Sequence, residues 1–100
     1  MLFAIISTDV ENSLEKRMPV RDLHIERLKH LESAGRLLIA GPHPVTDELE
    51  PEQPAFSGSL VVAEFESLQA AQQWADADPY VDAGVYAQVM VKPFIKVLPV

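Results

Sequence analysis

The sequence predicts an α+β domain with ferredoxin-like β-α-β-β-α-β order and an antiparallel sheet. Three observations carry that expectation. Two segments of helical period are interleaved with four β-rich runs. The second and third runs follow one another with only a proline-rich connection between them. Two of the runs, "FAII" and "LVVA", are apolar at consecutive positions, so their sheet needs cover on both faces.

Residues 2–8, "LFAIIST", form the first β-rich run, bounded by Asp9 and Asn12. Residues 9–18 are polar and read as a loop with a helical turn. Pro19 suits the first turn of a helix, where its missing N–H costs nothing, and Gly35 stops that helix after Ala34. "RLLIAG" (36–41) is a short strand closed by Gly41-Pro42. Residues 42–56 hold four prolines and four acids, which excludes helix or central strand there. "SGSLVVAEF" (57–65) is the third strand. Ser67 caps a second helix, which must end near Asp78 because a residue before proline is pushed out of helical space. "VYAQVMVKPF" (85–94) alternates as a half-buried strand.

A chain of 100 residues corresponds to one domain, 1–100. Two helices cover one face of a four-stranded sheet, so the second face is expected to meet its copy in a homodimer. There is no cysteine, which removes disulfides and thiolate metal sites. Residues 37–91 carry nine acids and neither Lys nor Arg, leaving no basic stripe for nucleic acid. No apolar run approaches the roughly 20 residues of a membrane helix, and "MLFAIISTDV" lacks a basic n-region and a cleavage site. The expectation is a soluble, cytoplasmic protein with small-molecule partners and neither membrane nor nucleic acid. His24, His30 and His43 lack metal-ligand spacing, and no nucleotide loop or nucleophile elbow is present, so neither metal nor cofactor is expected.

His24 is the one residue out of keeping with its surroundings. At about 100° per residue it lies about 40° from Val20, inside an apolar stripe containing Leu23, Leu28, Leu31 and Ala34, with His30 at the margin. On the second helix the same rule puts Asp78 on the inward stripe of Ala71 and Ala75, at the last helical position, while Asp76 points away. An inward carboxylate at a helix C-terminus is electrostatically poor and requires a partner. Helices packed side by side would let His24 meet Asp78. A carboxylate on one ring nitrogen fixes the tautomer and leaves the other for proton transfer. The plainer alternative is a buried ion pair that only supports packing. Arg21 stands near the helix start as an anion contact or a solvated cation, Ser57 and Ser59 flank Gly58 as turn chemistry, and Trp74 and Tyr80 read as core or interface residues.

Taken together, "RDLHIERL", "GRLLIAGP", "GSLVVAEFESLQAAQQWADADPYVDAGVY" and "VKPF" resemble, in this order and spacing, the YciI family, or YCII-related domain, over nearly the whole chain. The resemblance implies a dimeric α+β barrel of ferredoxin-like subunits. It implies an active-site pair made of His24, with Arg21 before it, and Asp78 of the D-P-Y segment. It places pocket edges at Ala40, Gly41 and Pro42 and at Gly58 and Ser59. Family members of known activity include a dehydrochlorinase acting on a chlorinated hydroxyhydroquinone, and the wider superfamily holds muconolactone isomerases and small monooxygenases. The acidic "HPVTDELEPEQPAF" segment departs from the family pattern.

The leading expectation is therefore a cofactor-free lyase or isomerase in which a His24–Asp78 pair moves a proton on a small cyclic or aromatic metabolite, with Arg21, Gly41, Pro42 and Ser59 binding it. The alternative is a ligand-binding or regulatory dimer that uses the same pocket without turnover.

Overall fold

The computed structural model describes residues 1–100. Strand β1 (Leu2–Asp9) leads through the one-turn helix α1 (Leu14–Arg17) and a 3₁₀ turn (Met18–Val20) into α2 (Arg21–Ser33). Strands β2 (Leu37–Pro44) and β3 (Phe56–Glu64) follow, then α3 (Leu68–Asp76), α4 (Pro79–Asp82) and β4 (Tyr86–Phe94). The sheet order is β2-β3-β1-β4 and every pairing is antiparallel. This is the ferredoxin-like arrangement read from the element order. No helix is long and apolar enough to cross a membrane.

Register decides which side chains enter the core. Phe3 pairs with Ala63, Ile5 with Val61 and Ser7 with Ser59, so these residues share the helix-covered face. There Phe3, Ile5, Val61 and Ala63 meet Leu28 and Leu31 of α2 and Ala71 and Ala75 of α3. Ala63 and Ala71 are fully buried, and their small side chains let α3 lie close to the strands. Burying one residue such as Leu31 contributes about 2 kcal/mol. On the opposite face, Ala4 pairs with Val62 and Ile6 with Leu60 and Met90. Ala4 and Val62 are buried by their neighbours, while Ile39 (57%), Met90 (39%) and Phe94 (40%) are exposed.

Four details differ from the sequence reading. The first helix is broken at Val20, whose φ of −117° and ψ of 7° leave helical space, so α2 starts at Arg21. Leu23 is 55% exposed, because the buried stripe turns toward Ile25, Leu28 and Leu31. Strand β2 does not close at Gly41-Pro42 but runs on to Pro44, with Pro42 opposite Ser59. It can do so because β2 is an edge strand, where a missing N–H need not interrupt a ladder on both sides. The fourth concerns Asp78. Helix α3 ends at Asp76, and Asp78 is extended (φ −64°, ψ 132°), standing as the N-cap of α4 with Pro79 behind it.

Candidate active site

That last difference reverses the electrostatics of the carboxylate. At a helix C-terminus Asp78 would face unpaired carbonyls, whereas as an N-cap it faces unpaired N–H groups. The Tyr80 amide donates to Asp78 Oδ1 at 2.8 Å. Its partner across the core is His24, whose Nδ1 lies 3.0 Å from Oδ1 and 2.8 Å from Oδ2. Both side chains are buried. A carboxylate oxygen accepts, so Nδ1 carries the hydrogen and donates it to Asp78, and Nε2 is the ring nitrogen left free of the pair. The Tyr80 ring stacks on the imidazole with centroids 4.0 Å apart and planes within 9°. His24 is thus held at its edge by a carboxylate and across its face by a phenol ring.

Behind this pair stands Arg27, one turn along α2. Its Nη2 donates to the Trp74 carbonyl at 2.7 Å, its guanidinium lies 4.3 Å from the Trp74 ring centroid, and Nη1 is 3.7 Å from Asp78 Oδ2. Burial lowers the Arg27 pKa, and the Asp78 charge opposes that shift. Nη1 is buried without a hydrogen-bond partner, so its contact with Asp78 is coulombic.

In front of His24 is a cavity of about 140 Å³. Arg17, Arg21, His24 and Tyr80 line it from the helical side, Gly41 and Pro42 from β2, and Ser59 from β3. Ile25, Leu28 and Val61 supply apolar wall. The lining contains two guanidinium groups and no carboxylate. A larger, shallower groove of about 860 Å³ runs between residues 8–15 and 53–57, but it includes none of His24, Arg21 or Asp78. The smaller cavity is therefore the candidate. His24, Arg21, Gly41, Pro42 and Ser59 all come to it, and Asp78 sits behind His24 rather than in the wall.

The sequence reading missed several residues here. Arg17, at the end of α1, is buried; its Nε and Nη2 donate to the two oxygens of Asp9 at 2.7 and 3.0 Å, and Nη2 also donates to the Gly58 carbonyl at 3.0 Å. Burial is the largest single influence and acts to lower the Arg17 pKa, but the hydrogen bond and charge of Asp9 together with Tyr86 and Tyr80 bring the net value up. Buried Ser13 donates to Asp9 Oδ2 at 2.6 Å. Gly58 is glycine because a Cβ there would run into the backbone carbonyl of Ser7. Tyr86 shares a 2.6 Å hydrogen bond with Ser59, and burial pushes its phenol up to about 12. Tyr80, read as core or interface, is fully buried and part of the site, its phenol also raised by burial. No three His, Asp or Glu side chains cluster as metal ligands.

Fold and site together define a ferredoxin-like α+β protein with a buried His–carboxylate pair behind a small cationic cavity. The YCII-related domain family matches residues 1–95, and the chain belongs to that family. The protein YciI of Escherichia coli is 59% identical over 97 residues, covering 97% of this chain and 99% of its own. An uncharacterised protein of Haemophilus influenzae is 55% identical over the same shares. Among solved structures, the 5-chloro-2-hydroxyhydroquinone dehydrochlorinase TftG of Burkholderia phenoliruptrix, in complex with 2,5-dihydroxybenzoquinone, superposes with a TM-score of 0.82. It is 25% identical, with 95% of this chain and 94% of that one covered.

Proposed function

We propose that the protein is a small-molecule enzyme of lyase or isomerase type in which His24 transfers a proton and Asp78 orients it. One observation carries this reading. His24 Nδ1 is committed to a buried carboxylate while the same ring lines a cavity whose wall holds no second imidazole and no carboxylate. In that arrangement Nε2 takes a proton from an acidified C–H or O–H of a bound ring. The electron pair left behind either shifts along the ring, where His24 returns the proton to a second atom, which is isomerisation, or expels a leaving group while the proton stays on the imidazole, which is elimination. The likeness to a dehydrochlorinase supports the second outcome.

Two further parts of the reading go with it. Arg21, Gly41, Pro42 and Ser59 contact the substrate from the cavity wall. The exposed Ile39, Met90 and Phe94, continuous with the buried Ala4 and Val62, form the face through which two copies pair. A stable monomer in sedimentation at micromolar concentration would refute that pairing.

The direct test incubates the protein with 5-chloro-2-hydroxyhydroquinone and with a panel of single-ring phenols and cyclic ketones in D₂O. Chloride release and deuterium incorporation are followed. Activity that disappears in His24→Ala, with the fold retained, is expected. Undiminished activity in that variant ends the proposal. Ligands that stabilise the protein without any exchange or release favour the non-catalytic binding module.

A further inference from the structure

Arg17 is a buried arginine outside the His24–Asp78 pair. It is 6% exposed, and its charge is met by both oxygens of Asp9. Its guanidinium centre lies 4.9 Å from the Phe56 ring centroid and 5.0 Å from that of Tyr80. Ser13 fixes the same Asp9 oxygen that Arg17 Nε binds. A guanidinium has five N–H donors, and the bonds to Asp9 and Gly58 run through Nε and Nη2 alone. Nη1 takes part in none of them, and Arg17 lines the cavity.

We infer that Arg17 is a fixed hydrogen-bond donor to a substrate oxygen, and that the substrate is a single-ring molecule whose oxygen is anionic or becomes so during reaction. The inference deepens the catalytic reading of the cavity and rests on it. A donor locked by a carboxylate, a carbonyl and two aromatic rings needs no reorganisation when charge develops beside it, which is where a donor is most effective. The cavity volume of about 140 Å³ matches one ring, since a cavity of about 150 Å³ is the scale that accommodates benzene. Charge sets its sign. Asp9 balances Arg17, but Arg21 makes no ion pair, and the lining holds no carboxylate. Asp78 lies behind His24, engaged by it and by Arg27. The cavity therefore favours an anion over a neutral ring of the same shape.

Benzoate and benzamide make a matched pair of probes, titrated by NMR against the full-length protein. Benzoate is expected to perturb the His24 and Tyr80 signals and to bind at least tenfold more tightly than benzamide. Equal affinities, or no saturable binding of either, would overturn the assigned substrate class. Arg17→Lys keeps the charge but loses the planar fork, and a fall of about tenfold in benzoate affinity is expected. Unchanged affinity in that variant would remove Arg17 from the role. If Arg17→Lys does not fold, Asp9→Asn/Arg17→Gln removes both buried charges and reads the same loss. None of these measurements needs turnover. A benzoate preference in a protein without proton transfer would end the catalytic reading and leave the anion site standing, and the reverse result would do the opposite.

Discussion

The helix-covered face of the sheet has two halves of opposite character. Toward the start of β1 and the end of β3, Phe3, Ile5, Val61 and Ala63 pack on Leu28, Leu31, Ala71 and Ala75. Two residues further along the same strands, Ser7 and Ser59 are equally buried, and Asp9 and Tyr86 continue the polar row. Around that row stand Arg17, His24, Asp78 and Tyr80. One half is held by contact area, which is non-directional and tolerant. The other is held by partnered polar groups, each of which would be expensive alone. A domain this small gains little stability from buried ion pairs over apolar residues of similar volume. The polar half therefore calls for an explanation other than stability, and the cavity is what it surrounds.

Variants can separate the two halves. The largest loss is expected on breaking the Arg17–Asp9 pair from one side. Arg17→Met strands the Asp9 charge and should cost about 3–5 kcal/mol in denaturant unfolding. Removing both partners should recover much of that loss, and a single variant costing under about 1 kcal/mol would show that the pair is not buried as described. Leu31→Ala in the apolar half should cost about 2–4 kcal/mol through lost transfer energy and a cavity, without altering ligand preference.

His24→Leu takes the imidazole donor from the buried Asp78 carboxylate, to which the Tyr80 amide still donates, and is expected to cost about 1–3 kcal/mol while removing proton transfer altogether. A variant that stayed active would return His24 to a packing role. Tyr86 gives the smallest and most specific effect. Its phenol is raised from 10.0 to about 12, so below pH 10 it is protonated in both folded and unfolded chains and its contribution is complete. Between pH 10 and about 12 only the unfolded chain ionises, and stability falls as pH rises. Tyr86→Phe should flatten that part of the curve. The burial that raises both tyrosines should also delay phenolate absorbance until the protein unfolds.

The position of Asp78 shows how the site could be approached from sequence by an incomplete argument. Helical phase carried it inward as the end of α3, whereas the chain reaches the same place by ending that helix and starting another. The signal for the second helix was present, since Asp-Pro is an N-cap followed by proline at the first helical position. Tyr80 follows from it, because its amide is the donor that Asp78 caps. Arg17 had no comparable signal. Its segment "DVENSLEKRM" is mostly polar with no periodic apolar face, and its partners lie in β1, β3 and α4.

By itself the sequence determined the order of elements, the antiparallel sheet, the inward histidine and the family, because period, proline and glycine act locally along the chain. The tertiary structure decided what each polar side chain faces. A hydrogen bond between residues 24 and 78, or between residue 17 and the carbonyl of residue 58, depends on how helices dock on strands. No local propensity records that docking. In the fold it turns His24 from an oddity on an apolar stripe into a ring held by a buried carboxylate at the wall of a cavity bordered by two arginines.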